Sequence, residues 1–157
     1  MTTKSSGFTL IELLVVVAIL GILGAIGTIT YQGYISGTKK KSTVNLMRQL
    51  ILANTEYYSS NQFYYKGTGG TTCTPSISTS EDIEKKLLDD QNLILDPGYP
   101  GFKKANTGYL FCMAEDKSNF IIIAQEQNKK TGALDNDGCQ ITLTAGNLKD
   151  DDANKKC

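Results

Sequence analysis

The sequence predicts an α+β protein in which a long N-terminal helix is followed by a short helix and several strands. Three observations predict this. No charged residue occurs from Leu13 to Thr38. An apolar stripe then continues at helical spacing, and the later part of the chain holds three short strand-forming runs. At 157 residues there is room for one modest domain plus an anchor, and too little for two ordinary domains.

The first helix is predicted from FTLIELLVVVAILGILGAIGTITYQGYISG, which is strongly apolar from Leu13 to Ile29 and is followed by Lys39–Lys41. At 1.5 Å per residue, Phe8 to Ile29 spans about 33 Å as a helix, enough to cross a hydrocarbon core of about 30 Å. A core helix this apolar would need a much larger protein around it, so membrane insertion is the stronger reading. A secretory signal would place a small-residue cleavage site after the apolar run. Here the run passes instead into an amphipathic segment, which marks it as retained. Val44, Met47, Leu50 or Ile51, Asn54 and Tyr57 or Tyr58 recur at helical spacing, with Arg48, Gln49 and Glu56 off the stripe. The pattern fades at Ser59–Asn61. One helix from Phe8 to about Ser59 is predicted, roughly 80 Å long, with its first half in lipid and its second docked on a soluble domain.

Lys66 to Thr79 is rich in Gly, Thr and Ser and reads as a loop containing Cys73 and Pro75. Ser80 is positioned to cap a short helix ending near Gln91, with Glu81, Asp82 and Glu84 near its positive end. Asp96-Pro97-Gly98 reads as a turn. Tyr109–Ala114, Phe120–Gln125 and Gln140–Thr144 read as strands, and the polar Glu115–Asn119 suits a hairpin loop between the first two. The polar tail from Lys149 to Lys156 would fray unless Cys157 ties it down.

Lys+Arg and Asp+Glu are balanced at 16 each, so no global charge steers the chain toward nucleic acid or an anionic surface. Histidine is absent, which removes the commonest general base and the commonest metal ligand. With no nucleophile–base arrangement visible either, enzymatic activity is not expected, nor is a cofactor or metal. Asp135-Asn136-Asp137-Gly138 and Asp150–Asp152 could suggest calcium. However, the EF-hand spacing would need a ligand at Ala133 and a Glu twelve positions on, so a turn and a solvated acidic tail are preferred. Lys39–Lys41, Lys103–Lys104 and Lys155–Lys156 are scattered and offset by acids, a pattern of solvated surface more than of a DNA-binding face. Cys73, Cys112, Cys139 and Cys157 form no CxxC pair; an even, widely spaced set suits two disulfides in an oxidising compartment, and three pairings are open.

At GFTLIELLVVVAILG the chain resembles the prepilin signature of type IV pilins and type II secretion pseudopilins. The resemblance rests on a basic leader with Lys4 that ends in Gly7, then Phe8, then an apolar run interrupted by Glu12. It implies that a prepilin peptidase cuts between Gly7 and Phe8 and methylates the new Phe8 amine, and that Glu12 guides subunit docking. Electrostatics supports the last point. A carboxylate one turn into a membrane helix costs about 2.5–3.5 kcal/mol and usually has a partner or a function. A free amine at Phe8 of an adjacent subunit would neutralise Glu12 strongly in a low-dielectric fibre core. Gly21, Gly24 and Gly27 would allow close helix approach or local unwinding, since this region has no proline.

The resemblance further implies the type IV pilin fold, a small antiparallel sheet packed on the long helix with a disulfide-closed C-terminal region. Of the three open pairings, Cys73–Cys112 with Cys139–Cys157 is favoured because it ties the loop to the first strand and the tail to the last. The expected domains are a cleaved leader at 1–7, a transmembrane assembly half-helix at 8–37 and an exported globular domain at 38–157. The expected function is that of a structural subunit polymerised into a surface fibre for adhesion, motility or DNA uptake. A type II secretion pseudopilin and a membrane-tethered binding domain are the alternatives. Expected partners are other pilin subunits, prepilin peptidase, an inner-membrane assembly platform and, before assembly, membrane lipid. The charge rule alone would put Lys39–Lys41 on the cytoplasmic side. The prepilin motif and the disulfide-suited cysteines put the N-terminus there instead, with a single pass through the bacterial inner membrane before assembly into an extracellular fibre.

Overall fold

The structure, a computed structural model, describes residues 7–67, 70–98, 104–116, 119–128 and 130–144; at 28, 29 and 32 it describes the backbone alone. The chain divides into two units, Met1–Thr38 and Lys39–Cys157. Helix α1 runs over Leu10–Asn61, 52 residues. It begins two residues later than the hydropathy suggests because Thr9 serves as its cap. In the first unit, none of the side chains of Leu10–Gly27 is buried, although this stretch is long and apolar enough to cross a membrane.

In the second unit α1 is amphipathic. Thr43, Leu46, Met47, Leu50 and Asn54 recur every three or four residues, and all are buried. Asn54 looks out of place on an apolar stripe, and its hydrogen bonds explain it. Its Nδ2 donates to the Tyr65 carbonyl at 3.0 Å, and the Tyr65 N–H donates to its Oδ1 at 2.8 Å. One buried amide thus satisfies both backbone groups of a loop residue and turns the chain back along the helix. Tyr64 from the same loop packs on Phe120, with ring centroids 5.1 Å apart.

Helix α2 occupies Ile77–Leu87, earlier than expected from Ser80. Ser76, next to Pro75, is the cap: the Thr79 N–H donates to Ser76 Oγ at 3.1 Å, and the Ser76 N–H donates to Thr79 Oγ1 at 2.8 Å. The helix stops well before Gln91 because Asp89, Asp90 and Asn92 adopt φ of 48°, 58° and 53°. Such left-handed residues are tolerated best by Asp, Asn and Gly. Buried Glu84 then accepts from the N–H groups of Ile94 (2.6 Å) and Leu95 (3.2 Å), drawing the following segment against α2.

Two short strands absent from the sequence reading, β1 (Leu95–Asp96) and β2 (Lys104–Ala105), pair antiparallel. The turn expected at Asp96-Pro97-Gly98 is present, with the Gly98 N–H donating to Asp96 Oδ1 at 2.9 Å. Strands β3 (Tyr109–Asp116), β4 (Asn119–Glu126) and β5 (Gln140–Thr144) form an antiparallel sheet in the order β3-β4-β5. Their register aligns Phe111 with Ala124, Met113 with Ile122, Ala124 with Ile141, and Ile122 with Leu143. These residues share one face and one core with Leu46, Met47 and Leu50 of α1. The architecture is therefore α+β, with small antiparallel sheets packed against helix.

By order β3 is an edge strand, yet Tyr109–Ala114 are buried without interruption. Its outer backbone is closed by other elements. Phe111 N–H donates to Ser80 Oγ at 2.9 Å, Thr79 Oγ1 donates to the Phe111 carbonyl at 2.7 Å, and Glu115 N–H donates to the Gly70 carbonyl at 2.8 Å. Gly67, at φ 59°, passes so close that a Cβ there would lie 2.7 Å from the Met113 oxygen. Cys73 of this covering loop is disulfide-bonded to Cys112 of β3, with Cα atoms 6.1 Å apart. Cys139 is also disulfide-bonded; Cys157, its expected partner, lies outside the described residues.

Candidate processing and assembly site

The segment singled out by sequence lies in the first unit. Gly7, Phe8 and Thr9 precede α1 without regular structure, and all three are exposed. A peptidase needs such an accessible, non-helical backbone at the bond it cuts. Nothing lies within 4 Å of where a Cβ at Gly7 would be. The fold itself therefore places no demand for glycine at this position, and a demand from a second protein would account for it.

The first turn of α1 is organised by a pair that sequence reading only half recognised. Thr9 N–H donates to Glu12 Oε2 at 2.9 Å, Thr9 Oγ1 donates to the same oxygen at 2.7 Å, and Glu12 N–H reaches Thr9 Oγ1 at 3.4 Å. This is a capping box, which satisfies backbone donors that a helix start leaves open. The signal was present as Thr-x-x-Glu directly before an apolar run. Glu12 thus has a local partner in its own chain, and the carboxylate sits beside the positive end of the helix, where negative charge is favoured. Both members of the box lie on the same side of the Gly7–Phe8 bond.

From Phe8 onward, through this turn and beyond it, the chain presents apolar side chains in every direction. Phe8 is 87% exposed and Leu10 82%, and Ile11, Leu13, Leu14, Leu20, Ile22, Leu23 and Ile26 are exposed too. A soluble core helix with this composition would be buried, so its apolar surface needs lipid or other helices around it. A Cβ added at Gly21, Gly24 or Gly27 would meet nothing within 4 Å. Among the described residues, packing gives no reason for those glycines.

A family model described as the prokaryotic N-terminal methylation motif matches residues 2–28. The chain carries the prepilin-type cleavage and methylation motif. This motif belongs to type IV pilins and type II secretion pseudopilins, typically structural subunits that a prepilin peptidase processes for assembly into a pilus or pseudopilus. The exposed apolar helix is consistent with membrane anchoring of a prepilin-like protein. No curated protein and no solved structure matches the chain.

The stretch weighed as a calcium loop, and read from sequence as a turn, lies in the second unit. Asp135–Gly138 forms a turn, in which the Gly138 N–H donates to the Asp135 carbonyl at 2.9 Å and the Asp137 N–H to Asp135 Oδ1 at 3.3 Å. A Cβ at Gly138 would approach the Cβ atoms of both Asp135 and Glu126 to 2.9 Å, so glycine is required for this turn to close. Among the described residues, no group of three or more Asp, Glu, Cys or His side chains could hold a metal ion. Asp150–Asp152, Lys103, Lys155–Lys156 and Lys4 of the leader lie outside the described residues.

Proposed function

We propose that the protein is a structural subunit of a type IV pilus, cut between Gly7 and Phe8, methylated on the Phe8 amine and polymerised through α1. The observation that carries this reading is the joining of the methylation motif to a helix whose apolar surface is exposed from Leu10 to Gly27. Before assembly that surface is covered by the inner membrane, with the N-terminus cytoplasmic. In the fibre it is covered by the same helix of neighbouring subunits. Glu12 then receives the free amine of an adjacent Phe8 at the carboxylate already held by Thr9, and Gly21, Gly24 and Gly27 lie at close helix contacts. The Lys39–Cys157 unit with its Cys73–Cys112 bridge forms the exported part, where an oxidising compartment preserves disulfides.

Mass spectrometry of protein recovered from sheared surface fibres tests processing and assembly together. The expected N-terminal peptide begins at Phe8 and is heavier by one methyl group. An intact leader, or a cut beyond Gly27, overturns the reading. Fibres visible by electron microscopy that contain this chain distinguish a surface pilin from a pseudopilin confined to the cell envelope.

A further inference from the structure

The apolar run does not end abruptly at Gly27, and the residues that follow it have a different character. Tyr31 and Tyr34 are 65% and 73% exposed and lie three residues apart, on one side of α1. Between and beside them, every hydroxyl whose hydrogen bonds the structure describes is turned back onto the helix. Thr30 Oγ1 donates to the carbonyls of Ile26 (3.2 Å) and Gly27 (3.1 Å), Ser36 Oγ to Gly33 (3.0 Å) and Thr38 Oγ1 to Tyr34 (2.9 Å). These side chains carry their own hydrogen bonds within the helix. The tyrosines are exposed side chains with an apolar ring and a polar tip, and such side chains concentrate at membrane–water boundaries.

Distance along the helix supports this. At 1.5 Å per residue, Glu12 and Tyr31 are about 28 Å apart, close to the thickness of a hydrocarbon core of about 30 Å. Tyr34 lies about 4.5 Å beyond Tyr31, within a headgroup layer about 5–7 Å deep. One boundary of the bilayer is thus matched by the Thr9–Glu12 box and the other by the tyrosine pair. We propose that Tyr31 and Tyr34 form a lipid-interface anchor that, with the Thr9–Glu12 box, fixes the depth of the unassembled precursor in the membrane. This rests on the membrane-anchored reading above, and its partner is the headgroup–acyl boundary of a phospholipid bilayer. In this register Glu12 lies at the boundary, where a carboxylate is far less costly than at the bilayer centre.

The chain contains no tryptophan, so a single introduced Trp reports its own depth without background. The uncleaved full-length chain is placed in phosphatidylcholine vesicles whose lipids are brominated either just beneath the headgroup or near the chain ends. Four variants are compared: Leu20→Trp as the deep reference, Leu52→Trp as the aqueous one, and Tyr31→Trp and Tyr34→Trp as the probes. The expected result is that Leu20→Trp is quenched most by the deep bromines and Leu52→Trp by neither. Tyr31→Trp and Tyr34→Trp are quenched most by the shallow bromines, with emission between the two references. Probes that behave like Leu20→Trp, or like Leu52→Trp, overturn the anchor while leaving membrane insertion intact. An unquenched Leu20→Trp instead overturns the membrane reading itself. In a Leu20→Trp chain that also carries Tyr31→Ala and Tyr34→Ala, the ratio of deep to shallow quenching shifts; an unchanged ratio overturns the depth-setting role.

Discussion

Glu12 has an observed capping role and a proposed pairing role, which a single substitution to alanine would merge. Its Oε2 accepts from the Thr9 N–H and hydroxyl, which is a capping function, and its charge is what an amine from a neighbour would seek. Gln serves at this position of a capping box as well as Glu does, but it carries no charge. Glu12→Gln should therefore keep the first turn of α1 intact, while Glu12→Ala should fray it, because the Thr9 N–H loses its acceptor. If charge pairing drives assembly, both variants insert into the membrane normally and both lose most of their fibres. Fibre yield and membrane fractionation, measured side by side, check this. Normal yield from Glu12→Gln would show that the cap alone matters. The comparison separates helix geometry from electrostatics at one residue.

At the scale of elements, α2 and the loop before it act as a cover for β3. The cover is held by hydroxyls from Thr79 and Ser80, by the backbone of Gly70 and by the Cys73–Cys112 bond, which links residues 39 apart in sequence. Closing a loop of this size stabilises the folded state by about 4 kcal/mol in the chain-entropy account. The paired substitution Cys73→Ser and Cys112→Ser should lower stability by that order, with protection of the β3 amides falling first. Denaturant titration with amide hydrogen exchange checks both parts; a loss confined to the α1 amides would contradict the role given to the cover.

The same elements mark what the sequence could tell. The long helix and the three main strands follow from their apolar runs, periodic in α1 and unbroken in β3, and the hairpin between β3 and β4 follows from the polar stretch that separates them. The start of α2 was misplaced because Ser76, Ser78 and Ser80 are chemically alike, and only the approach of β3 decides which hydroxyl caps and which reaches across. Strands β1 and β2 are two residues each, too short for any period to register. Asn54 was read as part of an apolar stripe, and its pairing with Tyr65 depends on a loop path that local pattern does not encode. In the candidate site Gly7, Phe8 and Glu12 were legible as a motif, whereas Thr9 was overlooked although its spacing to Glu12 was visible.

For the molecule as a whole, stability at high pH has a defined source. Tyr109 on β3 is buried and faces Glu126 across the strand pair. Burial first, and the nearby carboxylate second, push its phenol from an ordinary value near 10 up to about 12. Between those two values the unfolded chain has released the proton that the folded chain still holds. Unfolding therefore releases a proton, and stability falls as pH rises through this window. Below it the folded state keeps this contribution in full. Tyr109→Phe should flatten the decline between pH 10 and about 12 relative to the parent chain, as read from melting temperatures across that range. A parallel decline in both proteins would assign the effect to other groups.

The closure of β3 also bears on how copies of this chain can join. Sheets extend without limit only when each copy offers two open edges, one to receive a strand and one to give. Here one margin of the three-stranded sheet is already occupied by the chain's own hydroxyls and loop. Contact through the opposite margin would pair two copies head-on and stop there. In the folded chain this sheet is therefore guarded against edge-to-edge growth through β3, and a polymer of folded copies has to join them by other surfaces.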